Sequence, residues 1–167
     1  VGPLEHRFPG SGALVKFAGM EPVNDRFDWD GAQIPLIGWD QLEHFEWVQF
    51  WYMLSRNRDP SGKIRPYIRA TCNPDPDSWL AGFIAWWIDQ DTGFPIAERG
   101  GRLRWFIRRG DDSLAWGDSR EELLTLYGDP KLLAEHSGQI KPLSVTFIPG
   151  TIFDNPLGME RDPLYLS

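Results

Sequence analysis

The chain has 167 residues, 41% apolar and 14% aromatic with nine Trp, a composition that makes an ordered globular protein and excludes a disordered one. A formal charge of −7 gives no overall basic field of the kind a nucleic-acid binder carries, leaving only a local patch open. One cysteine excludes an internal disulfide, and the longest apolar run, 80–88, is too short to span a bilayer.

Residues 1–12 are rich in Gly and Pro and read as loop, and residues 13–18 (ALVKFA) alternate as a strand does. His6, Arg7 and Lys16 form a loose basic set that suits a solvated surface. Residues 20–32 (MEPVNDRFDWDGA) make an acidic connector containing Arg26. The next stretch, QIPLIGWDQLEHF at 33–45, is the pivot of the chain. Ile34, Leu36 and Ile37 form an apolar run with little alternation, the habit of a parallel strand buried on both faces. Gly38 and Trp39 close the run and Asp40 stands at its end, where open α/β sheets place their ligands. A strand-end Asp also serves as turn former or helix cap.

Residues 43–57 (EHFEWVQFWYMLSRN) predict a helix with Phe45, Val48 and Tyr52 on its apolar side. Arg56, Asn57 and Arg58 fall near its end, where cations suit the macrodipole. DPSG at 59–62 is a turn, and RPYIRAT at 65–71 reads as the next strand, stopped by Pro74. Asp77 or Ser78 can cap a helix over 79–88. Residues 89–101 read as loop. RLRWFIR at 102–108 and the run at 113–116 flank RGDD as a β-hairpin, the RGD being a turn. DSREELLTLY at 118–127 has capping-box spacing from Ser119 to Glu122 and a stop at Gly128. LSVTFI at 143–148 is the last strand, and the turn-rich tail opens a short helix. Trp47, Trp51, Trp79, Trp86 and Trp87 fall on predicted helices at spacings that suit core packing. A stacking surface for carbohydrate or single-stranded nucleic acid is the weaker reading.

GWDQLEHF, FWYMLSRNR, PYIRATCNPDPDSWL and VTFIPGTIFDNPL, in series over about residues 11–165, resemble the ATPase domain of the large terminase subunit of tailed phages. The resemblance implies an α/β fold: a mostly parallel sheet flanked by helices, part of an additional-strand P-loop ATPase, with a small β-hairpin insertion. It implies ATP hydrolysis with Mg²⁺, powering the packaging of double-stranded DNA into procapsids. The partners it implies are double-stranded DNA, the portal protein, the small terminase subunit and further copies in a ring. The setting is the host cytoplasm, with no membrane. By match to the motifs, Asp40 takes the Walker B role on Mg²⁺, and Thr71, Cys72 and Asn73 fall in the segment that couples hydrolysis to movement. Arg26, Arg56 and Arg58 are candidates for a trans-acting arginine finger, although none has a specific spacing and cap or surface roles fit them better.

Two departures accompany the resemblance. The family usually places Glu after the Walker B Asp as the base, and here Gln41 is neutral and cannot accept a proton. Glu43, and less well His44, can substitute, while Gln41 can still orient a water. Glu43 also fits a first-turn helix glutamate favoured by the dipole. No G-x-x-x-x-G-K-[ST] occurs in the 167 residues, so they bring no cradle for phosphates, and the family's carboxylate-rich nuclease domain is not among them. The expectation is a single domain over 1–167, the second half of a terminase-like ATPase domain and inactive by itself. The opening on Val1 fits that expectation. The alternative is a standalone, catalytically inactive terminase-like module that only binds partners. A domain divided beside its P-loop strand should also expose apolar sheet surface and self-associate.

Overall fold

A computed structural model describes residues 4–73, 75–128 and 141–161. The chain divides into two compact units between Phe83 and Ile84.

The first unit opens on an antiparallel hairpin of β1 (Leu4–Arg7) and β2 (Leu14–Phe17), with Leu4 opposite Phe17 and Arg7 opposite Leu14. Sequence reading takes residues 1–12 for loop. Four-residue β1 is too short to show a period, and the Pro9–Gly12 turn that makes the segment look irregular is the turn that pairs it. That turn closes through Phe8 N–H on the Ala13 carbonyl at 2.9 Å, with Gly12 at φ +71°.

After a 3-10 helix over Val23–Trp29, β3 (Leu36–Trp39), α1 (Trp47–Arg56) and β4 (Tyr67–Ala70) form a parallel βαβ unit. Its register pairs Leu36 with Tyr67 and Trp39 with Ala70. Ile37 and Trp39 are each 7% exposed, whereas Leu36 is 50% exposed. The strand is therefore covered on one face, not two. The Trp39 ring meets those of Phe45 and Phe50 on the covered face.

α1 begins four residues later than the sequence pattern suggests. Residues Leu42–His44 form a separate 3-10 turn, and Glu46 and Gln49 cap α1 reciprocally. Past its end, the Asn57 amide donates to the carbonyls of Ile34, Pro35 and Tyr67, pinning the two parallel strands at their amino ends. α2 (Trp79–Ile84) follows and gives way to a 3-10 turn at Ala85–Trp87, where the sequence pattern predicts one helix over 79–88. Trp47, Phe50, Trp79 and Phe83 pack ring against ring, and the Trp79 indole donates to the Phe45 carbonyl at 2.7 Å. Trp47 and Trp79 are half-buried in this ring cluster, packed on neighbouring aromatics as their helical spacing indicates.

In the second unit, β5 (Leu103–Arg108) is the centre of an antiparallel sheet, between β6 (Leu114–Gly117) and β7 (Leu143–Thr146). Ile107 and Ala115 pack with Leu123 of α3 (Arg120–Tyr127), flanked by Trp105 and Tyr127. On the other face Phe106 and Trp116 meet, and Trp87, fully buried, lies against Trp116 and donates to the Arg102 carbonyl. α3 starts as its sequence says, with Ser119 Oγ accepting from Glu122 N–H at 3.0 Å. A short α4 (Pro156–Arg161) follows the 3-10 turn Ile152–Asp154.

The fold is thus mixed α/β, but among the described residues parallel pairing is confined to β3 and β4. The expected hairpin is present as β5–β6, and β5 also takes β7 as a second antiparallel neighbour. Local pattern told hairpin from helix, but it could not tell which sheet the last strand would join.

Candidate functional site

Because β3 and β4 run parallel, the residues that leave them emerge at the same edge. Thr71 N–H bonds the Trp39 carbonyl at 3.0 Å and Leu42 N–H bonds the Thr71 carbonyl at 2.9 Å, so the ladder continues past both strand ends. Between these bonds lies a side-chain link. The Thr71 hydroxyl donates to Asp40 Oδ1 at 2.6 Å and accepts from Gln41 N–H at 3.0 Å. Gln41 sits in the left-handed region at φ 56°, ψ 64°, a conformation that costs a non-glycine residue on the order of 1 kcal/mol. The bonds around Thr71 hold it there.

This turn sends Leu42 into the core and leaves Glu43 half-buried. Glu43 Oε2 is sealed from solvent with no hydrogen-bond partner among the described residues. Cys72 lies within its field: burial first, and the Glu43 charge second, push the Cys72 thiol up. Asn73 and His44 are exposed. The structure therefore brings Asp40, Gln41 and Thr71 together, with Glu43 beside Cys72. The hydroxyl link was not read from the sequence, though polar residues directly after two parallel strands were its signal.

Arg26, Arg56 and Arg58 each make local contacts away from Asp40. Ile34 N–H bonds the Arg56 carbonyl at 2.9 Å, which places Arg56 at the amino end of β3, opposite Asp40. Its guanidinium pairs with Asp30 at 3.0 Å and lies over the Tyr52 ring. Arg58 Nε donates to the Ser55 carbonyl at 2.7 Å. Arg26 lies over the Phe27 ring and donates to the Val23 carbonyl.

Among the described residues no group of three or more His, Cys, Asp or Glu side chains is placed to hold a metal. Asp40 is a single exposed carboxylate with one oxygen already bonded. That donor set fits Mg²⁺, which keeps several waters and binds through one or two carboxylates plus substrate phosphates. It does not fit a dehydrated, protein-only metal cage. Nor do these residues supply a phosphate cradle, since the loop that makes one is missing from the sequence.

An acidic residue at the carboxyl edge of a parallel βαβ pair marks the ligand-binding side of an α/β protein. The family model described as terminase large subunit, T4likevirus-type, N-terminal, matches residues 4–164. The chain belongs to that family of terminase large subunits. No curated protein and no solved structure matches it. No helix among the described residues is long and apolar enough to cross a membrane.

Proposed function

We propose that the chain is part of the ATP-hydrolysing motor of a phage packaging terminase, acting in the host cytoplasm on double-stranded DNA. Membership of the terminase large subunit family supports a role in phage DNA packaging. The observation that carries the ATPase reading is Asp40 on the carboxyl edge of the parallel pair, its carboxylate held by Thr71. In this reading the fold is a portion of a P-loop ATPase domain, and the phosphate cradle comes from polypeptide outside these 167 residues. Portal protein, small terminase subunit and further copies in a ring are the partners such a motor engages.

Asp40 would hold Mg²⁺, and the ion when bound would supply positive charge to the phosphate oxygens. Glu43 is the carboxylate able to take the proton of the attacking water, and Gln41 is able to orient that water. Thr71, Cys72 and Asn73 lead from the strand end toward α2, so a shift at Asp40 has a path to that helix. The local contacts of Arg26, Arg56 and Arg58 support cap and surface roles.

In the complete natural polypeptide that carries this chain, Asp40→Asn should lower Mg²⁺-dependent ATP hydrolysis by roughly 100-fold or more. A variant that hydrolyses ATP as the wild type does would remove Asp40 from the site. A second reading, an inactive binding module, is favoured by the neutral Gln41. It predicts no ATP hydrolysis by that polypeptide in any assembly.

A further inference from the structure

We propose that Thr71 is a positioning residue for Asp40, fixing the carboxylate so that Oδ2 faces a hydrated Mg²⁺. The inference rests on Asp40 being the metal-side carboxylate. A threonine hydroxyl has one proton and two lone pairs. Here the proton goes to Asp40 Oδ1 at 2.6 Å, and a lone pair takes Gln41 N–H at 3.0 Å. The hydroxyl cannot rotate to serve solvent without breaking one of these bonds. The Thr71 backbone is equally fixed, donating to Trp39 and accepting from Leu42.

The consequence falls on Asp40. Its side chain is exposed, and an exposed carboxylate otherwise turns freely about its last torsion. A bond to Oδ1 removes that freedom and leaves Oδ2 as the oxygen with no partner among the described residues. Mg²⁺ demands near-ideal octahedral geometry, so an oriented acceptor for its waters matters more than it would for Ca²⁺. Groups that orient a direct metal ligand typically change metal affinity by about 10- to 100-fold when removed, and because Asp40 acts through waters the effect of Thr71 belongs at the low end of that range. The same hydroxyl accepts the backbone N–H of the left-handed Gln41.

The test uses the complete natural polypeptide as wild type, Thr71→Val, Thr71→Ser and Asp40→Asn. Mn²⁺ binding in the presence of a non-hydrolysable ATP analogue is read by electron paramagnetic resonance. Binding of a fluorescent ATP analogue in EDTA is read separately. Thr71→Val should weaken Mn²⁺ binding about tenfold, Thr71→Ser should restore it, and metal-free nucleotide binding should hold in both. Wild-type Mn²⁺ affinity in Thr71→Val overturns the proposal. So does equal loss in the Val and Ser variants, or a loss of metal-free nucleotide binding that accompanies the Mn²⁺ loss, since either means Thr71 only supports the fold. Where Val unfolds the protein, Thr71→Ala removes the hydroxyl without added bulk and is read in the same way. If Asp40→Asn binds Mn²⁺ like the wild type, the assignment of Asp40 has failed and takes this proposal with it. A Thr71 failure beside an Asp40 effect overturns the positioning role alone.

Discussion

Gln49 donates from Nε2 to the Met20 carbonyl at 2.6 Å, tying the first turn of α1 to a segment 29 residues upstream. Its Oε1 accepts the Glu46 N–H at 2.7 Å, so one amide side chain both caps the helix and anchors the acidic connector. Gln49 is 2% exposed. Replacing it with Leu fills the space but leaves the Met20 carbonyl and the Glu46 N–H without their partner. Gln49→Leu should therefore destabilise the fold by about 2 kcal/mol, measured as a fall in urea midpoint at constant slope. An unchanged midpoint would mean that water replaces the amide at both ends.

A close approach in the second unit gives an independent check. A Cβ on Gly117 would lie 3.0 Å from Leu123 Cγ and 3.1 Å from Leu123 Cδ2, and 3.0 Å from Glu122 Oε2. Leu123 is fully buried. Gly117→Ala should cost roughly 1–3 kcal/mol, against the small gain that Gly→Ala gives where nothing obstructs it. Thermal unfolding of the variant reads the sign directly, and a raised midpoint would show that α3 shifts freely over β6.

Much of this was legible in the sequence, and the misses share one physical cause. The strand at Leu36–Trp39, the helix around Trp47–Arg56, the cap at Ser119 and the β5–β6 hairpin arise from local periodicity and turn chemistry. What the pattern could not supply is partnership. The run Ile34, Leu36, Ile37 suggests cover on both faces, yet Leu36 is open, because burial is decided by which elements come to lie on a strand. β7 joins β5 and not the parallel pair for the same reason. At the candidate site, Asp40 was visible as a residue type in a place. Its bond to Thr71, 31 residues further along, is a property of the parallel register and lay beyond local pattern.

Cys72 reports on the orientation of Glu43. Burial, then the negative charge of Glu43, raises its thiol above the ordinary value, so less thiolate is present at neutral pH and alkylation is slow. Glu43→Gln removes the second cause and lowers the value. The rate of iodoacetamide labelling at roughly pH 8 should rise in that variant and stay below that of an unstructured cysteine, because burial remains. Identical rates would place the Glu43 carboxylate away from Cys72 and out of the strand-end cluster.

Several turns are closed by aspartates whose carboxylates accept from neighbours. Asp59 accepts from Ile64 N–H and from Ser61, and Asp111 from the Ser113 side chain and N–H; both are held below the ordinary carboxylate value by these bonds. A folded value below the unfolded one, near 3.9, means the stabilisation is complete above the unfolded value. It is lost as pH falls through the folded value. Carboxyl ¹³C titration should show Asp59 and Asp111 protonating later than a free aspartate as acid is added. Asp59→Asn should lose part of the acid sensitivity of unfolding while keeping one acceptor in the turn. Titration of both groups at the ordinary value would show the turn bonds to be too weak to matter in solution.

The open face of the parallel pair sets the last expectation. Leu36 is 50% exposed and Tyr67, directly opposite, 45%. On the β1–β2 hairpin, Leu4 and Phe17, also opposite one another, are 70% and 58% exposed. Parallel strands are rarely left uncovered, and a lone two-stranded hairpin is marginal in water. Two such surfaces on one chain favour association with further strands or apolar faces. The isolated chain should therefore sediment as species larger than a monomer at micromolar concentrations, with the distribution shifting to larger species as concentration rises. Leu36→Lys and Phe17→Lys each place a charge in one patch while leaving the described core untouched, so each should move the distribution toward monomer. A wild-type chain that stays monomeric over that range would show the two patches to be stable in water by themselves, and would count against their being faces that another part of an ATPase domain covers.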